Sequence, residues 1–202
     1  MSNNETPEDE LSQEELEELE ELENGPHTRI EEKFKTIGLF GEINEEIAGE
    51  VVFGIHALAM DTDCEKPIEI MISTPGGNAS DMFAIYDVIR LHRQEQIIET
   101  FAIGKVMSAG VLILASGTKG SRKIGKNCRI MIHQCSAGNM GPVSVLKNEM
   151  KEIMILQQLY LEGLVAETDL TLSQIKRMIS KNQNVYFSAE EAVKYGIADI
   201  IV

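Results

Sequence analysis

A chain of 202 residues, 43% of them hydrophobic, is long enough for one domain with a sizeable core. Its formal net charge of -15 disfavours nucleic acid and anionic membranes as partners. Three cysteines (Cys64, Cys128, Cys135), odd in number and without metal-ligand spacing, argue against a disulfide framework or a zinc site and for a reducing, cytoplasmic setting.

The chain opens on an acidic leader, residues 1–28. Eleven acidic residues, from Glu5 to Glu23, precede the first basic one, Arg29, so the body that follows is only mildly acidic. No secretory signal is expected, because this leader is acidic and has no apolar core. Leu11, Leu16, Leu19 and Leu22 can line one stripe of a short helix stopped by Asn24-Gly25-Pro26. A solvated, disordered tail fits the same composition.

Residues 29–202 then alternate between strand and helix patterns. Thr36 to Gly41 reads as a strand, and Ile43 to Met60 as a helix with Ile47, Val51, Ile55 and Leu58 on one face. Pro67 to Ser73 alternates as a strand and stops at Pro75-Gly76-Gly77. Ala79 to Arg93 is a helix turning Met82, Ile85, Val88 and Ile89 inward. Ile97 to Ile103 is a strand, Ser108 to Leu114 begins a helix, and Arg129 to His133 is a strand. Val143 to Glu167 is a long helix, unusually rich in Met, Leu and Ile. Ser173 to Ile179 is a short helix. Ser188 caps another, with Glu191 at the capping-box position, and Ala198 to Val202 is a last strand. Such alternation implies an α/β fold with parallel strands. The longest aliphatic run, Val111 to Ala115, is too short to span a bilayer.

Chemistry collects at three element boundaries. Ser108 follows a strand and opens a helix, where small neighbours (Ala109, Gly110) permit a tight turn and the helix dipole favours developing negative charge. The competing reading is an ordinary N-cap serine. Gly76-Gly77 exposes backbone N–H groups, as an oxyanion hole requires, or is a plain turn. His133 can act as a general base near neutral pH, or as a hydrogen-bonded structural histidine. The other histidines lie in the leader (His27) or inside helices (His56, His92), without surrounding motifs.

Spacing joins these pieces. From about Phe34 to Val202 the chain resembles the Clp protease proteolytic subunit family (ClpP). The resemblance rests on Ser73-Thr-Pro-Gly-Gly77, Ala84-Ile-Tyr-Asp87, Met107-Ser-Ala-Gly110, Met131-Ile-His-Gln134 and Ser188-Ala-Glu-Glu-Ala-Val-Lys-Tyr-Gly196. It implies a ClpP/crotonase-like α/β spiral of repeated strand-strand-helix units with a protruding handle helix, here Val143 to Glu167. It implies a serine endopeptidase subunit without cofactor or metal. Two stacked heptameric rings, a tetradecamer, would enclose the sites, and an AAA+ unfoldase would feed them polypeptide. By the same carry-over Ser108 is the nucleophile, His133 the base, and Gly77 and Ala109 supply the oxyanion N–H groups. Gly138 to Gly141 resembles the strand that lines the substrate groove.

Two departures stand out. Ala109 replaces the family's bulkier residue after the nucleophile, and a backbone donor tolerates this. The triad Asp position falls on Asn184 when counted back from Ser188, or on Asn182 when counted forward from the preceding helix, so a carboxylate is missing either way. An amide can orient the imidazole but supplies no charge, which implies a slow or assembly-dependent peptidase. The competing functions are a non-catalytic ring subunit, a crotonase-like acyl-CoA enzyme, and a viral capsid-maturation protease.

Overall fold

The computed structural model describes residues 34–61, 65–138, 140–180 and 183–202; the leader, Cys64 and Asn182 lie outside them. Strands are β1 (Thr36–Phe40), β2 (Ile68–Thr74), β3 (Ile98–Met107), β4 (Arg122–Ile124), β5 (Arg129–Ile132), β6 (Val185–Phe187) and β7 (Ile200–Ile201). Helices are α1 (Glu45–Met60), α2 (Ala79–His92), α3 (Ala109–Ala115), α4 (Val143–Glu167), α5 (Leu172–Ile179) and α6 (Ala189–Lys194).

The sheet is built around β2. Ile68, Ile70 and Ile72 are fully buried while Glu69, Met71 and Ser73 keep partial access, the period-2 pattern of a pleated strand. Its neighbours β1 and β3 both run parallel to it. The strand β3 then forks. Thr100 to Ala102 pairs with β4, and Lys105 to Met107 pairs with β5. Between the two halves Gly104 has φ 64°, a left-handed conformation that glycine adopts without a Cβ penalty. The expected strand end at Ile103 is therefore corrected: the strand passes through the glycine and reaches Met107, next to Ser108.

Three further expectations change. The first is that the sheet is not wholly parallel, since β6 pairs antiparallel with β5. Neither β4 nor β6 was visible as a strand pattern, because each has three residues and too little alternation. The last strand shrinks to Ile200–Ile201, and Ala198 is buried in the core instead. Finally, the first helix begins at Glu45. Asn44 caps it by accepting from Ile47 N–H at 2.9 Å, and Ile43 is freed to bridge Gly77. The capping box at Ser188 and Glu191 forms as expected, with both reciprocal bonds present.

Helices cover the sheet with the residues the periodicity selects: Val51 and Ile55 of α1, and Met82, Ile85 and Ile89 of α2, are almost fully buried. A buried polar cluster locks three helices together. The Glu167 carboxylate, at the end of α4, receives Arg93 Nη1 at 2.8 Å, Arg93 Nη2 at 2.9 Å and the Tyr86 hydroxyl at 3.0 Å. Arg93 also donates to Ser116 O at 2.7 Å, just past α3. Burial alone would raise the Glu167 pKa, but the Arg93 bonds and charge prevail and hold it below the ordinary 4.5.

Glu167→Ala is therefore expected to destabilise the fold by about 3 kcal/mol, measured by urea unfolding. The low end of the buried-pair range applies because the Arg93 side chain keeps 23% of its exposure and can rehydrate. The native pKa is depressed, so this stabilisation is present above the unfolded value of 4.5 and is lost as pH falls through the native one.

Candidate active site

Ser108 is, among the described residues, the non-glycine with positive φ, at φ 54° and ψ -122°. Such a conformation costs roughly 1–3 kcal/mol and persists only where its surroundings hold it. Here the Ser108 N–H donates to Met131 O at 2.7 Å. Its carbonyl accepts from Val111 N–H at 3.0 Å and from the Tyr160 hydroxyl at 2.9 Å. The side chain makes no helix-capping bond, which removes the N-cap reading.

Instead Ser108 Oγ lies 2.8 Å from His133 Nε2. The sheet explains the meeting. Met107 and Met131 are partners in the parallel β3–β5 ladder, so the residues just after each strand emerge side by side. Burial lowers the His133 pKa below the ordinary 6.5, so the imidazole is neutral at physiological pH and can accept a proton.

The Gly76-Gly77 turn at the end of β2 reaches the same place. A Cβ on Gly77, at φ 157°, would sit 2.1 Å from Ile43 O, and one on Gly76 would sit 2.6 Å from Ser108 Cβ. Only glycine allows this approach. The Gly76 N–H is taken by Thr74 Oγ1 at 3.0 Å. Among the described residues, the N–H groups of Gly77 and Ala109 bond to no acceptor in the fold. Both residues line one cleft of about 270 Å³ with Ser108, His133, Cys135 and Tyr160. Two free amides beside a hydroxyl–imidazole pair can hold an oxyanion while a carbonyl is attacked.

The third position is different. One step beyond the antiparallel pairing of Ile132 with Val185, Asn184 falls opposite His133. The two share the wall of an adjoining cleft of about 420 Å³. Yet the Asn184 amide turns to the Tyr186 hydroxyl at 3.5 Å, and among the described residues nothing hydrogen-bonds His133 Nδ1. Asn182, the other candidate, lies outside the described residues. Sequence reading also missed Tyr160 and Cys135 as cleft residues. Tyr160 sits in an apolar helix and reads there as packing.

The sequence model of the Clp protease family matches residues 27–202. The chain belongs to the Clp protease family. It is 36% identical over 162 residues to the ATP-dependent Clp protease proteolytic subunit 2 of Chlamydia muridarum, covering 80% of this chain and 77% of that protein. The same subunit of Chlamydia trachomatis serovar D is 35% identical over the same shares. Subunit 1 of Chlamydia felis is 34% identical, again over 80% and 77%. Membership in the Clp protease family makes the chain a proteolytic subunit of peptidase type. Its α/β body with a largely parallel sheet agrees with that family. Among the described residues no cluster of three or more His, Cys, Asp or Glu is placed to hold a metal, and no helix is long and apolar enough to cross a membrane.

Proposed function

We propose that this chain is a serine-type Clp endopeptidase subunit in which Ser108 is the nucleophile and His133 the general base. The observation that carries this is the 2.8 Å contact from Ser108 Oγ to His133 Nε2 beside the free amides of Gly77 and Ala109. Ser108 Oγ attacks the scissile carbonyl as its proton passes to His133 Nε2. The oxyanion forms against the Gly77 and Ala109 N–H groups. Imidazolium returns the proton to the leaving amine, and the C–N bond breaks to leave an acyl-serine. Water, deprotonated by His133, then releases the acid and restores the hydroxyl.

Asn184 can orient His133 by turning its carbonyl to Nδ1–H, but it adds no charge, so the intrinsic rate is low. The finer architecture is the spiral of strand-strand-helix units, with α4 as the handle. On α4, Met150, Met154, Ile155 and Leu159 are 58%, 65%, 52% and 44% exposed, more apolar surface than an isolated chain favours. That surface fits burial between two heptameric rings. The relatives' name, ATP-dependent Clp protease proteolytic subunit, supports an AAA+ unfoldase partner and polypeptide substrates, while the unpaired Cys128 and Cys135 suit a reducing, cytoplasmic site of action. Ser136 and Ala137, which line the cleft without forming a strand and lead into the segment from Gly138 to Gly141, are free to pair with an extended substrate.

Labelling with a fluorophosphonate, read by peptide mass spectrometry alongside a solution mass measurement, tests the assignment. Adduct on Ser108 is expected in an assembly of ring size. No adduct in any assembled state favours the second reading, a non-catalytic ring subunit, which the absent Asn184–His133 bond supports. The His133 pKa gives a further expectation. Because burial depresses it, the base stays neutral as pH falls below 6.5, and the acid limb of kcat/KM for a fluorogenic peptide has its midpoint below that value. A midpoint above 6.5 contradicts the assignment of His133 as an unassisted base.

A further inference from the structure

We infer that Tyr160 is a positioning residue that aims the Ala109 oxyanion donor by clamping the carbonyl of Ser108. The inference rests on the serine-peptidase reading above and adds to it a residue whose hydroxyl touches neither substrate nor the reacting oxygen.

A trans peptide is planar, with its C=O and N–H directed to opposite sides. The peptide joining Ser108 to Ala109 therefore has one rotational freedom that matters: whatever fixes the Ser108 oxygen fixes the direction of the Ala109 N–H. Ser108 is also, among the described residues, the non-glycine with positive φ. Its carbonyl has the Val111 N–H at 3.0 Å, a 3₁₀-type bond in the first turn of α3. Tyr160 adds a second bond at 2.9 Å from outside that helix, so the plane is held from two directions.

The clamp is itself well seated. Tyr160 is 5% exposed, and it stands near the point where α4 passes from exposed to buried, with Leu161 and Leu164 packed beside it. One turn on, Gly163 lies against Leu112 of α3, where a Cβ would meet the Leu112 side chain at 2.9 Å. That close approach sets the distance between the helices and so the reach of the hydroxyl. Burial, and secondarily the charge that Cys135 would carry as thiolate, raise the Tyr160 pKa, so the group is a permanent donor at working pH.

Tyr160→Phe keeps the ring and removes only the clamp, and the Ser108 carbonyl retains Val111, so no buried acceptor is orphaned. With a fluorogenic peptide, kcat is expected to fall about tenfold, less than the 10²–10³ for deleting an oxyanion donor outright, with KM unchanged. A peptide aldehyde, which forms an oxyanion on Ser108, is expected to lose affinity in step with kcat. The matching peptide alcohol, which forms none, is expected to bind as before. Thr168→Ala is the control. It removes a comparable hydroxyl bond from the same helix (to Leu164 O, 2.6 Å) away from Ser108, so it is expected to lower the melting temperature and leave kcat alone.

An unchanged kcat in Tyr160→Phe, or equal losses for aldehyde and alcohol, overturns the inference. A wild-type chain that takes no fluorophosphonate on Ser108 sinks the hydrolase reading instead, and the two failures are told apart by that labelling.

Discussion

Asn184→Asp is expected to raise kcat for short peptides by about 10² or more, with about 10⁴ as the ceiling set by the reverse change in a trypsin-like triad. The register carries the argument. Ile132 and Val185 are cross-strand partners, and the next pair outward is His133 with Asn184. Directly opposed residues hold their Cβ atoms about 4.5–5.5 Å apart. A carboxylate there needs only a side-chain rotation, away from the 3.5 Å contact to the Tyr186 hydroxyl, to reach Nδ1. It would fix the tautomer that leaves Nε2 free to accept from Ser108 and would stabilise the imidazolium. The same negative charge raises the His133 pKa, so the acid limb of the pH profile should move up as the rate increases. High activity in the wild type, together with a fall on substitution, rules out the slow-peptidase reading.

Ser108→Ala is expected to abolish labelling and to cost about 10² in kcat on the wild-type background, but about 10⁴ to 10⁶ on the Asn184→Asp background, in step with the gain that the aspartate brings. The difference follows from non-additivity within a catalytic unit. In a subtilisin-type site, losing the serine alone costs about 2 × 10⁶ and losing the aspartate alone about 3 × 10⁴. A chain that already lacks the carboxylate has correspondingly less left to lose. What survives is rate enhancement from the amides of Gly77 and Ala109 and from binding. A double-mutant cycle over Ser108 and Asn184, read with one fluorogenic peptide, checks both figures. Strict additivity of the two changes contradicts a functional link between the positions.

How much of this was legible in the sequence depends on where the physical cause lay. The alternation of Ile68, Ile70 and Ile72 and the helical spacing of Met82, Ile85 and Ile89 are local, and they read correctly. The end of β3 did not, because Gly104 looks like a terminator until a second strand, β5, pairs beyond it. For β4 the obstacle was Arg122, a charged residue only 3% exposed. Its burial makes sense once Asp199 accepts from it at 2.7 Å across 77 residues and the carbonyls of Ala115 and Glu167 accept from its other arm. Ser108 and His133 were found through short motifs and their order. The geometry then replaced a capping hydroxyl by one bonded to an imidazole. Tyr160 carried no signal, since its partner is a backbone oxygen 52 residues away.

The cleft draws on the ends of three parallel strands and on the start of one that runs the other way. Gly77 follows β2, Ser108 follows β3 and His133 follows β5, whereas Asn184 precedes β6. During translation the first three can be in place while the fourth wall is still unmade, and Tyr160 arrives in between. Long-range contacts of this sort close slowly, which lengthens the interval.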